Sequence, residues 1–411
     1  MEDHLFVKNI SRRDFLKKTG QTAIALSGLE LVASCATSGP PETNTITFPG
    51  SQEKVIYPPF KGQKVQPPAE GCYIGFRRVV VSSGSPEDQL ALFKKMQEYY
   101  GKMKDIGELR AAIEKERLKA EDRIRSRTDN YVDYYQRLLG KIPFTLMIME
   151  TVHLCQRFPT PEAEVFAKKG VTPFFVARVG GQQPLNKVEN LKLQDIIKGT
   201  YDNYIKEFAE GARQFGENYG GFFLTTMQEM NARWMPWGSD PNNFKKAWQH
   251  IWELFEEKGA NQYATWVWSP DAPDIGAPGN KTSDNPDWYY PGDEFVDWIA
   301  WSAYARSSIP HQDRSYKALN ETIYRQMRKN HSQKPLMQSE FGKSADARQS
   351  VWLKDALQTV KSWPEMKAAI YWDIYDNNVT FVDDYRLDEK SIEVIKAALN
   401  KDNYFIMAKQ A

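Results

Sequence analysis

The chain has 411 residues, of which 41% are apolar and 13% aromatic, with 12 tryptophans. That is enough for one barrel-sized domain with a large core, plus extensions. Its 54 basic and 53 acidic residues leave a net charge of +1, which provides no field for gathering nucleic acid, and the aromatic surplus suits neutral polymers with flat apolar faces.

Read from the N-terminus, the chain opens on an address. Ser11-Arg12-Arg13-Asp14-Phe15-Leu16-Lys17 fits the twin-arginine export pattern. The weakly apolar stretch after it, Thr22 to Ser34, is shorter than the roughly 20 residues that span a bilayer. It ends Leu31-Val32-Ala33-Ser34-Cys35, which resembles a bacterial lipobox with Cys35 as the lipidated residue. Residues 1–35 therefore read as a lipoprotein signal, and the expected location is on a membrane, facing the periplasm or the cell exterior. Proline pairs at 40–41, 58–59 and 67–68 mark 36–70 as a tether. The remaining cysteines, Cys72 and Cys155, fall near opposite ends of neighbouring strands, so free thiols are expected.

From residue 71 onward apolar runs alternate with amphipathic stretches. Strands are expected at 73–76, 144–149, 173–179, 221–226, 264–268, 295–302, 335–339 and 368–372. Helices are expected at 201–215, 244–258, 316–329 and 347–362, among others. Eight strand–helix units over 71–411 predict a (β/α)8 barrel. An open doubly wound sheet is the runner-up, weakened because no glycine-rich phosphate loop follows the first strand. The charge-dense stretch 103–140 predicts a solvated helix on the outside of the barrel.

Two glutamates carry the chemistry. Glu229 follows the fourth strand, in Gln228-Glu229-Met230-Asn231, and Glu340 follows the seventh, in Ser339-Glu340-Phe341-Gly342. Barrels of this class place such positions over one mouth. A carboxyl pair there, among Trp234, Trp237 and Trp268, is what glycoside hydrolysis needs. One group protonates the leaving oxygen and the other attacks the sugar carbon. His153, after the second strand, is a further candidate sugar contact, and loop residues Asp271, Asp274 and Asp284 could bind calcium without any spacing that demands it. No metal site or cofactor is expected.

The succession Gly199-Thr200-Tyr201-Asp202-Asn203-Tyr204, Gln228-Glu229-Met230-Asn231, Trp234-Met235-Pro236-Trp237-Gly238, Ala247-Trp248-Gln249-His250, Trp266-Val267-Trp268-Ser269-Pro270, Tyr304 and Ser339-Glu340-Phe341-Gly342 closely resembles glycoside hydrolase family 26, best known for endo-β-1,4-mannanases. The resemblance implies a retaining mechanism, with the acid/base on Glu229 and the nucleophile on Glu340. It implies that Tyr304 hydrogen-bonds the nucleophile, that Trp234 forms an aromatic wall, and that Trp372 lies under the sugar being cleaved. Gln228, Asn231, Trp237 and Trp268 join these as substrate contacts. Three positions depart from the family pattern. Gln228 stands where the family usually has His, Thr225 where it often has Arg, and Gln249 where Ala-Trp-Arg-His is usual. These put the sugar in question more than the reaction. A mannan, a β-glucan, a xylan or an exopolysaccharide could be the target, and a carbohydrate-binding protein without catalysis is the rival class. The chain is expected to act as a monomer on a polysaccharide.

Overall fold

The computed structural model describes residues 60–77, 95, 98–151, 158, 161–178, 192–273, 283–378 and 381–408. The signal at 1–35 with Cys35, most of the expected tether, His153, Cys155 and Asp274 lie outside them. The elements alternate in chain order: β1 (Cys72–Arg77), α1 (Ile106–Leu139), β2 (Thr145–Thr151), α2 (Pro161–Lys168), β3 (Thr172–Arg178), α3 (Leu193–Ile197), α4 (Asp202–Tyr219) and β4 (Phe222–Thr225). Then come α5 (Pro241–Glu257), β5 (Ala264–Trp268), β6 (Trp298–Ala305), α6 (Tyr316–Asn330), β7 (Leu336–Lys343), α7 (Gln349–Ser362) and β8 (Met366–Trp372). A hairpin, β9 (Tyr375–Asn378) and β10 (Phe381–Asp384), is followed by α8 (Glu389–Lys401) and the short β11 (Phe405–Ile406). Strands β1 to β8 pair in order, all parallel, and β1 closes on β8. This is a (β/α)8 barrel, as the alternation predicts.

Period-two alternation builds two cores from each strand. Phe174 and Val176 of β3 point into the barrel, while Phe175 and Ala177 face the helical shell. Phe223, Val267, Trp298, Met337 and Ile370 fill the interior, where Phe223 meets Trp298 edge to face at 5.2 Å. Buried Cys72 opens β1 as a free thiol.

The barrel floor is closed by the chain's own residues 60–71, which corrects the expected tether boundary at residue 70. Phe60 and Val65 are buried in the interior core. The Phe60 carbonyl accepts from Gly221 N at 2.8 Å, and Val65 N donates to Thr265 Oγ1 at 2.7 Å. Lys64 pairs with Asp297 at 2.8 Å, and Asp297 in turn accepts from Trp266 N. Gly221 is required there, because a Cβ would lie 2.2 Å from the Gln63 carbonyl. Proline pairs mark an extended chain, but they cannot tell a free one from one laid under a barrel.

Helix α1 is a single 34-residue rod, about 50 Å long at 1.5 Å per residue. Asp105 caps its start and left-handed Gly140 ends it. It lies outside the barrel, as expected, but one face is buried through Leu109, Ile113, Ala120, Ile124, Val132 and Tyr135. Its charges reach neighbours: Arg125 pairs with Glu164 of α2, and Asp129 and Asp133 pair with Lys169 just after α2.

β6 runs three residues later than expected. Asp297 accepts from Trp266 N at the strand foot, and the strand continues through Ala303, Tyr304 and Ala305, of which Tyr304 reaches Glu340 at the mouth. β7 likewise runs four residues past its expected end, because Glu340 and Lys343 are buried and paired rather than solvated.

Candidate active site

Both glutamates reach the mouth by way of irregular backbone. After β4 the chain enters a turn in which Met227 and Glu229 take φ values of 47° and 54°. Non-glycine residues rarely adopt this left-handed region, and the turn persists because its neighbours fix it. Glu229 N donates to the Ser269 carbonyl at 2.7 Å, Ala232 N to the Glu229 carbonyl at 2.8 Å, and the Trp237 indole to the Gln228 carbonyl at 2.8 Å.

In β7 the device is a bulge. Trp301 pairs with Gln338, but Ser302 pairs with Glu340, so Ser339 is an extra residue; the β8 side shows the same slip between Gln338 and Phe341. Met337 faces the interior and Phe341 the shell. The extra residue therefore lets Ser339 and Glu340 both turn toward the mouth, where Ser339 Oγ meets Ser269 Oγ at 2.7 Å. Gln338 repairs the ladder, its amide donating to the Trp301 and Glu340 carbonyls at 3.0 and 3.1 Å.

One face of β6 then holds both acids. Ser302 Oγ donates to Glu229 Oε1 at 2.6 Å, and the Tyr304 hydroxyl donates to Glu340 Oε2. Ser302 and Tyr304 are two residues apart, about 6.6 Å along the strand. Glu340 is 7% exposed, whereas Glu229 keeps part of its surface open to the mouth although protein surrounds it.

Burial raises the pKa of both carboxyls. Glu340 is pushed up to about 8, first by burial and then by the charge of Glu229, against the opposing pull of Tyr304, Arg77 and Arg178. Ser302 and Arg306 pull Glu229 the other way. Both carboxyls thus hold their protons to higher pH than a free glutamate, and each one's ionisation opposes the other's. The Tyr304 hydroxyl is held well above its usual 10 by burial and by both carboxylates, so it stays a donor.

The aromatic candidates divide. Trp372 meets Tyr304 edge to face at 5.9 Å, under the Arg77 guanidinium, and Trp234 is half-buried after the Glu229 turn. Trp268 does not reach the mouth. Val267 points into the barrel, so Trp266 and Trp268 point into the shell, where Trp268 is fully buried against Tyr290 and His331. Trp237 is likewise buried, as a strut beneath the Gln228 carbonyl. Asn231 is fully buried and its amide is spent on protein: Nδ2 donates to the Asp271 and Asp284 carbonyls, and Oδ1 accepts from Asp271 N. These three are supports, not sugar contacts.

The calcium candidates are engaged as well. Asp271 accepts from Ser283, and Asp284 binds Arg233 and Tyr289. Gln228 is 4% exposed and its Oε1 has no partner among the described residues; Thr225 Oγ1 is in the same state.

Sequence reasoning missed Ser302, Arg77, Arg178 and Arg306. The signal was available: Ser302 and Arg306 flank Tyr304 at strand spacing, and Arg77 and Arg178 end β1 and β3 at the level of the mouth.

Residues 175–356 match the family model described as Glycosyl hydrolase family 26, a span of less than half the chain. No curated protein matches. Among solved structures, a double mutant of the endo-β-1,4-mannanase of Cellulomonas fimi aligns with a TM-score of 0.52 at 15% identity, over 67% of this chain and 67% of its own. The family 26 domain of an endo-β-mannanase/endo-β-glucanase from Prevotella bryantii aligns at 0.50 and 16% identity, over 68% and 87%. A β-mannanase from a symbiotic protist of the termite Reticulitermes speratus, complexed with gluco-manno-oligosaccharide, aligns at 0.50 and 14%, over 82% and 89%. At these identities the structural likeness speaks for the fold.

Proposed function

We propose that this glycoside hydrolase is an endo-acting, retaining β-glycosidase of a β-1,4-mannan-like polysaccharide, with Glu340 as nucleophile and Glu229 as acid/base. The observation that carries the reading is the pair of hydroxyls on β6, Ser302 and Tyr304, each holding one of two acids whose pKa values burial raises.

With one proton between them, the chemistry assigns it to Glu229. The charge then rests on Glu340, where the Tyr304 hydroxyl and the Arg77 and Arg178 guanidiniums favour it. Glu340 attacks the anomeric carbon while Glu229 passes its proton to the departing glycosidic oxygen. The enzyme now holds a glycosyl ester. Glu229, left ionised, takes a proton from water, whose oxygen attacks the same carbon and frees Glu340. Two displacements return the original anomer. Trp372 and Trp234 supply ring faces for the sugars.

Mannan is supported by the sequence resemblance and by what the aligned enzymes are said to cleave. A second reading, a β-glucan, a xylan or a bacterial exopolysaccharide, is favoured by the departures from the family pattern at Gln228 and Thr225, both of them buried with a side-chain oxygen that has no partner among the described residues. A panel of polysaccharides with mass analysis of products separates these, and proton NMR of the first product reads the anomer. Glu340→Ala should abolish hydrolysis. Glu229→Ala should keep some action on substrates with activated leaving groups, which need no proton. Residual kcat above about a tenth in Glu340→Ala would overturn the nucleophile assignment.

The location we propose is outside the cytoplasmic membrane, on a lipid at Cys35 after twin-arginine export. Replacing Arg12 and Arg13 by Lys should leave precursor in the cytoplasm, and Cys35→Ala should block lipidation. Normal processing of both variants would overturn this location.

A further inference from the structure

Ser302, Tyr304 and Arg306 succeed one another on one face of the β6 strand line. The first two hold the acids, and the third has no part in the scheme above. Its guanidinium carbon lies 5.7 Å from the Tyr304 ring centroid. Its Nε donates to the Tyr385 hydroxyl at 3.0 Å and lies 3.4 Å from Asp383 Oδ2. Both partners come from the C-terminal arm of the β9–β10 hairpin and the residue after it.

That arm is fixed. Asp383 is 4% exposed and accepts from Ser344 Oγ at 3.0 Å and from the Tyr385 hydroxyl at 3.3 Å. Tyr385 N donates to the Ile374 carbonyl at 2.8 Å, and its own carbonyl accepts from the Tyr371 hydroxyl at 3.0 Å. The Tyr385 ring lies 5.3 Å from that of Tyr304. Its other neighbour is Gly342, where a Cβ would lie 2.9 Å from the ring. An arginine that merely decorated the rim would pair with an exposed carboxylate. This one is held by a buried carboxylate, over the ring whose hydroxyl grips Glu340.

We propose that Arg306 is a positioning residue for the reaction: locked by Asp383 and Tyr385, it clamps the Tyr304 ring against Glu340 and presents a fixed positive charge to Glu229. The proposal rests on the roles given to Glu229 and Glu340 above. The titratable groups that face Arg306 among the described residues include Tyr304 on its own strand, Asp383 and Tyr385 from the hairpin side, and Glu229 from the turn after β4. Glu340 stands one hydrogen bond further, behind Tyr304.

The signs follow. Without the guanidinium, Glu229 keeps its proton to higher pH, so the alkaline limb of the rate profile moves up. A looser Tyr304 donates less well to Glu340, so the acidic limb moves up too. A residue that only stabilised the fold would lower Tm and leave both limbs in place.

The test measures pH profiles of kcat/KM on an aryl glycoside for wild type, Arg306→Met, Arg306→Lys and Tyr385→Phe. Alongside, the glutamate carboxyls are titrated by carbon-13 NMR, assigned through Glu229→Gln and Glu340→Gln. Arg306→Met should raise the optimum by roughly half to one pH unit and lower kcat about tenfold, with little change in KM. Arg306→Lys should keep the optimum at intermediate kcat, because the charge survives without the Nε bond. Tyr385→Phe should move both limbs in the same direction, by less. Unmoved limbs and unmoved carboxyl titrations in Arg306→Met overturn the proposal. Should that variant fail to fold, unmoved titrations in Tyr385→Phe do so. A wild type that cleaves no glycoside sinks the catalytic roles instead, and the NMR titration still reports on Arg306.

Discussion

A shared proton between buried acids is set by whichever neighbours donate to them, and Tyr304 is the most direct of these. Removing its hydroxyl takes a donor from ionised Glu340, so Glu340 holds its proton to higher pH. The acidic limb of kcat/KM in Tyr304→Phe should therefore rise, with kcat reduced about a hundredfold at the wild-type optimum, in the range general for a group acting on a reacting carboxylate. An acidic limb that stays in place would mean that the hydroxyl serves the sugar and not the nucleophile. The same scale shows where residue-by-residue reading of the sequence succeeds and where it stops. Glu229, Glu340, Tyr304 and Trp372 lie together as the motifs suggest. Trp268, Trp237 and Asn231 do not serve the sugar, for a reason visible only in register. A motif names residues that travel together, while strand alternation decides which of them face the mouth and which face the shell.

At the scale of elements, existence and order were legible because buried parallel strands read as apolar runs between amphipathic helices. Their ends were not legible at β6 and β7. There the strand continues into residues chosen for the site, and polarity looks like a loop. The Ser339 bulge leaves no mark in hydrophobic pattern at all, since it is an insertion of one residue whose only signature is the broken pairing with both neighbours. The floor segment was hidden for the opposite reason: its prolines announce an extended chain, and its two buried apolar residues, Phe60 and Val65, are too few to announce a core. Phe60→Ala tests its weight. Truncating a buried phenylalanine costs about 3–5 kcal/mol, so Tm by circular dichroism should fall by several degrees while kcat of the folded enzyme is kept. An unchanged Tm would return residues 60–71 to the role of tether.

For the whole molecule, the site is a standing cost to stability. Burial and mutual repulsion hold one proton on the Glu229–Glu340 pair up to about 8, above the roughly 4.3 at which an unfolded glutamate loses it, whichever of the two carries it. The pair favours the folded state fully below that lower value, and the advantage drains away as pH rises through the higher one. Glu340→Gln removes the titration. It should match wild type in Tm near pH 4 and exceed it by a widening margin up to about pH 8. A margin that narrows over that range would show that Glu340 is more acidic in the fold than out of it. The floor segment carries a last consequence, one of direction. Residues 60–71 enter beneath the feet of β4, β5 and β6, whereas Glu229 follows the head of β4 and Glu340 lies in the second half of β7. Phe60 and Val65 therefore lie on the face of the barrel opposite the mouth. A polymer laid across the mouth runs clear of the segment that closes the floor, so the two ends of the barrel carry separate duties: one holds the fold shut and the other holds the acids.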